Sequence, residues 1–267
     1  VASYSNVVET GHQQMLNPLA CPVCGNHALP LDVVDFNKSC EEARGKFLPL
    51  SGIPVYYYLC SNCGFCFAPE FSDWTLDEFS KKIYNDQYID VDPDYISVRP
   101  QGNANNLIKT FKGKEQPIRH LDYGGGNGML SDLLKQAGWQ SSCYDPFVNT
   151  DVDIATLGKF NLITAFEVFE HVPDVNDLMS RLNSLLDNDG IVMFSTLISD
   201  GQIKPNQRIS WWYASPRNGH ISLFSQNSLA TLAKKYNFNV GSFSPGMHML
   251  FRDNIPEWAK HLFQNGA

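Results

Sequence analysis

The chain has 267 residues, 43% of them hydrophobic and 18% charged, with a formal net charge of −8. That length suits one large domain or a medium domain with a small module. The 20 Lys and Arg spread against 28 Asp and Glu argue against a nucleic-acid surface as the main business, because phosphate binding needs clustered cations; a local basic patch stays open. No run of about 18 apolar residues exists, so no membrane span is expected. Val1–Asn17 lacks the basic start and apolar core of a signal peptide, so the expected location is cytoplasmic.

The first zone, residues 1–70, carries most of the seven cysteines: Cys21, Cys24, Cys40, Cys60, Cys63 and Cys66, with Cys143 following later. An odd number argues against a disulfide framework. Cys21-Pro22-Val23-Cys24-Gly25 and Cys60-Ser61-Asn62-Cys63-Gly64 are two C-x-x-C-G knuckles. Each aims two thiolates at one ion, and together they predict a closed, structural Cys₄ zinc site of Cys21, Cys24, Cys60 and Cys63. Cys66 offers itself in place of Cys63, and an iron–sulfur centre is the alternative. Cys40 and Cys143 read as ordinary buried thiols.

Residues 71–117 read as a helical connector. Thr75, with Glu78 three residues on, forms a capping box for a helix from Leu76 to about Tyr84. A second helix is expected over Asn103–Phe111, ended by Lys112-Gly113-Lys114.

From residue 118 to 267 strands and helices alternate. Ile118–Tyr123 predicts a strand, Met129–Ala137 a helix stopped by Gly138, and Ser141–Tyr144 a second strand. Phe160–Phe166 is almost wholly apolar, as a strand buried on both faces should be. Val175–Leu186 predicts a helix, Asp187–Gly190 a turn and Ile191–Leu197 another buried strand. Ser225 caps a helix over Ser228–Tyr236, and Val240–Phe243 with Met247–Phe251 closes the chain around Pro245-Gly246. Such alternation implies an α/β fold with a mostly parallel sheet.

The most informative segment is Leu121-Asp122-Tyr123-Gly124-Gly125-Gly126-Asn127-Gly128-Met129, between a predicted strand and a predicted helix. Glycines let the backbone turn sharply and approach a ligand, and the helix N-terminus adds free N–H groups. A dinucleotide loop requires G-x-G-x-x-G, but Met129 stands where the third glycine would be. The spacing Asp122-x-Gly124-x-Gly126-x-Gly128 instead resembles motif I of class I methyltransferases. The resemblance implies a Rossmann-like, seven-stranded sheet with helices on both faces and S-adenosylmethionine as cofactor. Asp122, Tyr123, Gly124, Gly125 and Gly126 would line it. Asp145, 21 residues beyond Gly124 and followed by Pro146, would be the acid that accepts hydrogen bonds from both ribose hydroxyls. The plain structural alternative is a glycine turn capped by Asp122.

Phe166-Glu167-Val168-Phe169-Glu170-His171-Val172-Pro173-Asp174 resembles the E-V-x-E-H-V-P-D segment of methyltransferases acting on quinone precursors, sugars and other small metabolites. That resemblance puts Phe166 and Glu167 on the cofactor side, with Glu167 near the methionine amino group or the reacting methyl. Two readings of Glu170 and His171 stay open. They fix the loop and cap the next helix, or they join Glu167 and His220 in a divalent-metal site like that of small-RNA 2′-O-methyltransferases.

His220-Ile221-Ser222-Leu223-Phe224-Ser225 resembles the H-(I/L)-x-x-F-S segment of metabolite and deoxysugar methyltransferases, whose histidine faces the acceptor. Gly219 replaces the glutamate that sugar C-methyltransferases carry there. His220 is accordingly the candidate base, its ordinary pKa lying near working pH; the alternative is a histidine that ties a loop to the sheet. Trp211, Trp212, Tyr213, Tyr84 and Tyr88 either wall the pocket or pack in the core. The function expected from the resemblance is methyl transfer to a small-molecule acceptor, a sugar, sugar nucleotide or related metabolite, with catalytic His220 and Glu167. An RNA methyltransferase with an RNA-reading zinc ribbon and a non-catalytic cofactor-binding scaffold are the alternatives.

Overall fold

The computed structural model describes residues 16–113 and 118–263. The stretch Val1–Asn17, expected to lack a signal peptide, therefore falls almost entirely outside the described residues, as does Lys114. No described helix is long and apolar enough to cross a membrane.

The strands are β1 Leu19–Ala20, β2 His27–Asp35, β3 Pro54–Cys60, β4 Cys66–Phe67, β5 Arg119–Tyr123, β6 Gln140–Tyr144, β7 Phe160–Phe166, β8 Leu186–Ser195, β9 Ser222–Leu223, β10 Asn239–Ser244 and β11 Met247–Phe251. The helices are α1 Leu76–Lys82, α2 Tyr88–Val91, α3 Val98–Thr110, α4 Met129–Gln136, α5 Val175–Leu185 and α6 Gln226–Lys235. The expected capping box of α1 is present, Glu78 N–H donating to Thr75 Oγ1 at 3.3 Å and Thr75 N–H to Glu78 at 2.9 Å. Ser225 caps α6 through Ser228 in the same way.

The larger sheet runs β10-β11-β8-β7-β5-β6. β6, β5, β7 and β8 are parallel, while β11 and β10 close the edge antiparallel. β5 and β7 lie mid-sheet with both faces covered; β7 is almost wholly apolar, while β5 buries His120 and Asp122 beside Leu121 and Tyr123. α5 lays Val175, Leu178, Met179, Leu182 and Leu185 into the core, the three- and four-residue spacing of one helical face. Asp174 caps it, accepting from the amides of Asn176 and Asp177.

Six strands form this sheet among the described residues, in place of the seven expected. Between β6 and β7 the chain makes only a 3-10 turn at Ile154–Leu157. That connection carries Asn149, Thr150, Asp151 and Asp153, with no apolar run to fill a doubly covered strand. The turn expected at Asp187–Gly190 is also absent as such. Phe160 pairs with Leu186 and Leu162 with Ile191, so those polar residues bulge out of β8, where Asp187 meets Arg119 at the surface.

The second sheet runs β1-β2-β3-β4-β9 and is antiparallel throughout. Its last strand comes from the segment that carries His220. Cys66 pairs with Leu223 and Phe67 with Ser222. Ser225 Oγ donates to the Cys63 carbonyl at 2.6 Å. The cysteine-rich segment is thus joined by backbone pairing to the chain that follows β8.

Candidate functional site

Parallel β5, β6 and β7 end side by side, so the residues that follow them share one rim of the sheet. The glycine loop follows β5, and Gly124 N–H donates to Tyr144 C=O at 2.7 Å. Gly124 has φ +75°, and a Cβ there would lie 2.5 Å from Val168 Cγ2. At Gly125 a Cβ would meet Asp122 Oδ2 at 2.3 Å and Cys143 Sγ at 2.6 Å. A side chain at either place requires the loop or the side chains it meets to shift.

Asp145, at the end of β6, accepts from Gly126 N–H at 2.9 Å through one oxygen and from Phe147 N–H at 2.8 Å through the other. The structure therefore brings together the loop and the distant acid that the spacing paired. Asp122 is buried and accepts from Thr164 Oγ1 at 2.9 Å. Burial pushes its carboxyl up to about 7, and the neighbouring Asp145 adds to the rise. Tyr123 is buried, while Pro146 and Phe166 are half-buried.

Glu167 follows β7 with φ +54°, a left-handed backbone that costs a non-glycine residue of order 1 kcal/mol. The geometry is held reciprocally by Ser195, whose Oγ donates to Glu167 Oε1 at 2.7 Å and accepts from Glu167 N–H at 2.8 Å. The turn points a half-buried carboxylate toward the same rim.

Beyond it, Glu170, His171 and His220 each present a ligand-type atom, all within 4.8 Å of one another. Ile221 N–H donates to the Glu170 carbonyl at 2.9 Å, and Tyr57 OH to the His220 carbonyl at 2.7 Å. Tyr213 OH donates to Glu170 Oε1 at 2.5 Å. Glu170 Oε2 and His171 Nδ1 are buried without a hydrogen-bond partner. His220 Nδ1 lies 2.8 Å from the Tyr213 carbonyl. A carbonyl only accepts, so the neutral ring carries its proton on Nδ1 and leaves Nε2 bare. Burial, helped by adjacent His171, holds His220 well below its ordinary pKa. His171 is pulled down to about 3, mainly by burial. Burial and nearby Glu167 push Glu170 well above the usual carboxylate range.

Of the aromatic residues in question, Trp211 and Tyr213 are buried and Trp212 is 41% exposed. Tyr84 and Tyr88 are in edge contact at 5.2 Å, and Tyr84 also meets Phe147 at 5.0 Å and His171 at 6.1 Å. Sequence reasoning missed Ser195, Thr164 and His120, whose roles depend on pairing across strands. It also read Cys40 only as an ordinary thiol, yet its Sγ lies 3.7 Å from His220 Nδ1.

The four knuckle cysteines converge. Cys21 Sγ lies 3.6 Å from Cys63 Sγ and Cys24 Sγ 3.4 Å from Cys60 Sγ, with all four within 4.8 Å of one another. A tetrahedron with metal–sulfur bonds of about 2.3 Å has sulfurs about 3.8 Å apart, so these thiols fit a zinc ion. Cys66 is fully buried in a different cluster and outside this set. The knuckle glycines Gly25 and Gly64 take φ +74° and +75°.

A family profile described as a methyltransferase domain matches residues 95–242. The ubiquinone biosynthesis O-methyltransferase of Bordetella avium (strain 197N) is 30% identical over 114 residues, 34% of this chain and 47% of that protein. The protein of the same name from Azorhizobium caulinodans is 28% identical over 124 residues, 38% of this chain and 47% of its own. The chain thus spans about half the length of these relatives. Among solved structures, the 1,6-didemethyltoxoflavin-N1-methyltransferase of Burkholderia thailandensis, with bound S-adenosylhomocysteine, aligns with TM-score 0.45 and 14% identity over 71% of this chain and 95% of that one.

Proposed function

This chain belongs to the methyltransferase-domain family, and from that premise we propose that it transfers a methyl group from S-adenosylmethionine to a hydroxyl of a small molecule such as a sugar, sugar nucleotide or related metabolite. The observation that carries this reading is the meeting of Asp145 with Gly126 at the rim where Asp122 and Glu167 also end. The bound cofactor supplies the sulfonium methyl. Gly124, Gly125 and Gly126 give it a backbone cradle, with Tyr123, Pro146 and Phe166 beside it. The Asp145 carboxylate is the acceptor for its ribose hydroxyls. Glu167 sets a fixed negative charge where a cationic donor rests.

On the acceptor side, His220 Nε2 takes the hydroxyl proton as the oxygen forms its new bond to carbon. The electron pair of the broken sulfur–carbon bond returns to sulfur, and S-adenosylhomocysteine leaves. Most of the acceleration comes from holding the reactants in line. The net charge of −8 favours a small acceptor over RNA, and the names of the matched relatives favour oxygen as the methylated atom. The Cys21, Cys24, Cys60 and Cys63 thiolates hold a structural zinc, because four protein ligands leave no coordination position for water.

A second reading concerns Glu170, His171 and His220. The orphaned Glu170 Oε2 and His171 Nδ1, beside the bare His220 nitrogen, favour a divalent ion held by all three, with the acceptor hydroxyl made acidic by the ion instead of by the ring. Metal content separates the two: a second ion per chain, lost in His171→Ala while the cysteine-bound ion stays, supports the ion, and a single ion supports the ring.

The central test is calorimetric titration of the full chain with S-adenosylhomocysteine. Binding that Asp145→Ala removes supports the cofactor site. Equal binding by the variant, or none by either, overturns it.

A further inference from the structure

A line of hydrogen-bonding groups runs through the larger sheet and takes no part in the steps above. Ser131 Oγ on α4 lies 2.9 Å from Ser141 Oγ on β6, which lies 2.7 Å from His120 Nδ1 on β5. His120 Nε2 lies 2.9 Å from Thr164 Oγ1 on β7, which lies 2.9 Å from Asp122 Oδ1 on β5. All five residues are buried. Such a set is costly to leave half-satisfied, because a buried polar atom without a partner loses its hydration and gains nothing.

Counting protons fixes what the line can do. Burial keeps His120 neutral, its pKa pulled down to about 3, so its ring has one N–H. Each hydroxyl has one proton. With Asp122 ionised, Thr164 donates to the carboxylate, His120 Nε2–H donates to Thr164, and the bare Nδ1 accepts from Ser141. With Asp122 protonated on Oδ1, the oxygen that meets Thr164, the order reverses. The carboxyl donates to Thr164, Thr164 donates to Nε2, and Nδ1–H donates to Ser141. A proton on Oδ2 would instead leave Oδ1 accepting from Thr164 and the first order in place, so reversal of the line marks protonation at Oδ1. Passing from the first to the second takes up one proton, with each group handing its own to the next toward Asp122.

We propose that His120 is the positioning residue of Asp122: acting through Thr164, the ring tautomer with its proton on Nε2 holds Asp122 as a carboxylate against the glycine loop, and protonation of Asp122 transfers the ring proton to Nδ1. The proposal rests on the cofactor reading for its consequence. A sulfonium donor is cationic and its demethylated product is not, so an ionised Asp122 favours donor over product. The elements around the carboxyl each present a group to it. β7 offers Thr164, the end of β6 offers the Asp145 carboxylate, and β6 offers the Cys143 thiol, which burial pushes up to about 12 and so keeps neutral. The loop offers the backbone at Gly125, and the indole of Trp139 meets the His120 ring edge-on at 6.0 Å.

The test is nitrogen NMR of the zinc-loaded full chain labelled in histidine, which distinguishes the two tautomers directly. From about pH 8 down to about pH 5.5, across the pH at which Asp122 takes up its proton, the His120 signal should change from the Nε2–H to the Nδ1–H pattern. Donor affinity should fall over the same range while S-adenosylhomocysteine affinity changes less. Thr164→Val keeps the shape and removes the link. In it the ring pattern should no longer follow pH, and donor affinity at about pH 8 should drop roughly tenfold, the loss expected for one hydrogen bond to a charged group. Asp122→Asn should likewise leave the ring pattern independent of pH, which covers the case of a Thr164→Val chain that does not fold. A wild-type ring pattern that stays constant with pH, or one that changes identically in either variant, overturns the proposal. A ring that follows pH in a protein binding neither donor nor product leaves the relay standing and overturns the cofactor reading instead.

Discussion

Glu167 and Ser195 hold each other across β7 and β8, the hydroxyl donating to the carboxylate at 2.7 Å while accepting from the same residue's amide at 2.8 Å. The pair keeps a glutamate in a left-handed backbone, φ +54°, at the rim of the sheet. Glycine would adopt that backbone without strain. Glu167→Gly should therefore change unfolding free energy by less than about 1 kcal/mol, the relieved strain offsetting the lost hydrogen bonds. Methyl transfer should fall by about 100-fold or more, as expected on losing a fixed charge at a reacting centre. Urea denaturation beside a turnover assay checks both. A variant with full activity removes Glu167 from the site.

Gly125→Ala places a methyl 2.3 Å from Asp122 Oδ2 and 2.6 Å from Cys143 Sγ. The loop or the two side chains must shift, at a cost of about 1–3 kcal/mol. Denaturant midpoints should register that loss, and S-adenosylhomocysteine affinity should fall with it. Gly126→Ala meets no atom within 4 Å but must hold φ +55°. It should cost about 1 kcal/mol through backbone strain alone.

Asp122 and the buried histidines set opposite pH slopes. The folded carboxyl is raised to about 7 from an ordinary 3.8, so between these values the folded chain binds the extra proton. Stability from this group is present below the unfolded value and is lost as pH rises through about 7. His120 and His171 are pulled down to about 3 from 6.5. The unfolded chain then binds the extra protons, and stability falls as pH drops below 6.5. Asp122→Asn should remove the first slope only. Measured by urea unfolding across pH, the variant should gain on the wild type as pH rises from about 4 to about 7, by a few kcal/mol at most, and below pH 6.5 its stability should fall more steeply, because Asp122 no longer opposes the histidines.

The proposed zinc site offers a test of how the two sheets are joined. Ser225 donates to the Cys63 carbonyl, and β9 pairs with β4. Chelation, or Cys21→Ser with Cys63→Ser, should therefore raise hydrogen exchange in Ser222–Ser225 and the first turn of α6, and not only in the knuckles. Protection confined to its native level in those residues would show that the thiol cluster does not support the segment after His220.

The glycine loop and the E-V-F-E-H segment were legible in the sequence because each is a contiguous motif at the end of a strand, and Asp145 because it closes the next strand after the loop. The convergence of Cys21, Cys24, Cys60 and Cys63 was legible from the two C-x-x-C-G repeats. What the sequence withheld is what strand pairing creates. Nothing in Ser195 announces that it will face Glu167 from β8, and His120 is one of several polar residues in its strand, with no role in view until Ser141 and Thr164 flank it. The seventh strand was expected from resemblance alone, and residues 145–159 had no apolar pattern to supply it. Asp187–Gly190 has the composition of a turn, yet the pairing of Phe160 with Leu186 absorbs it as a bulge.

The two-residue strand β9 also dictates an order of assembly during synthesis. The cysteine knuckles, β1 through β4, lie within the first 67 residues, but their sheet is completed only by Ser222 and Leu223. Until more than 150 further residues have left the ribosome, the outer edge of β4 carries unpaired N–H and C=O groups of the kind that recruit foreign strands. Two residues are a short edge to guard. Zinc captured early by the knuckles would keep that edge folded and in register while the chain that will cover it is still being made.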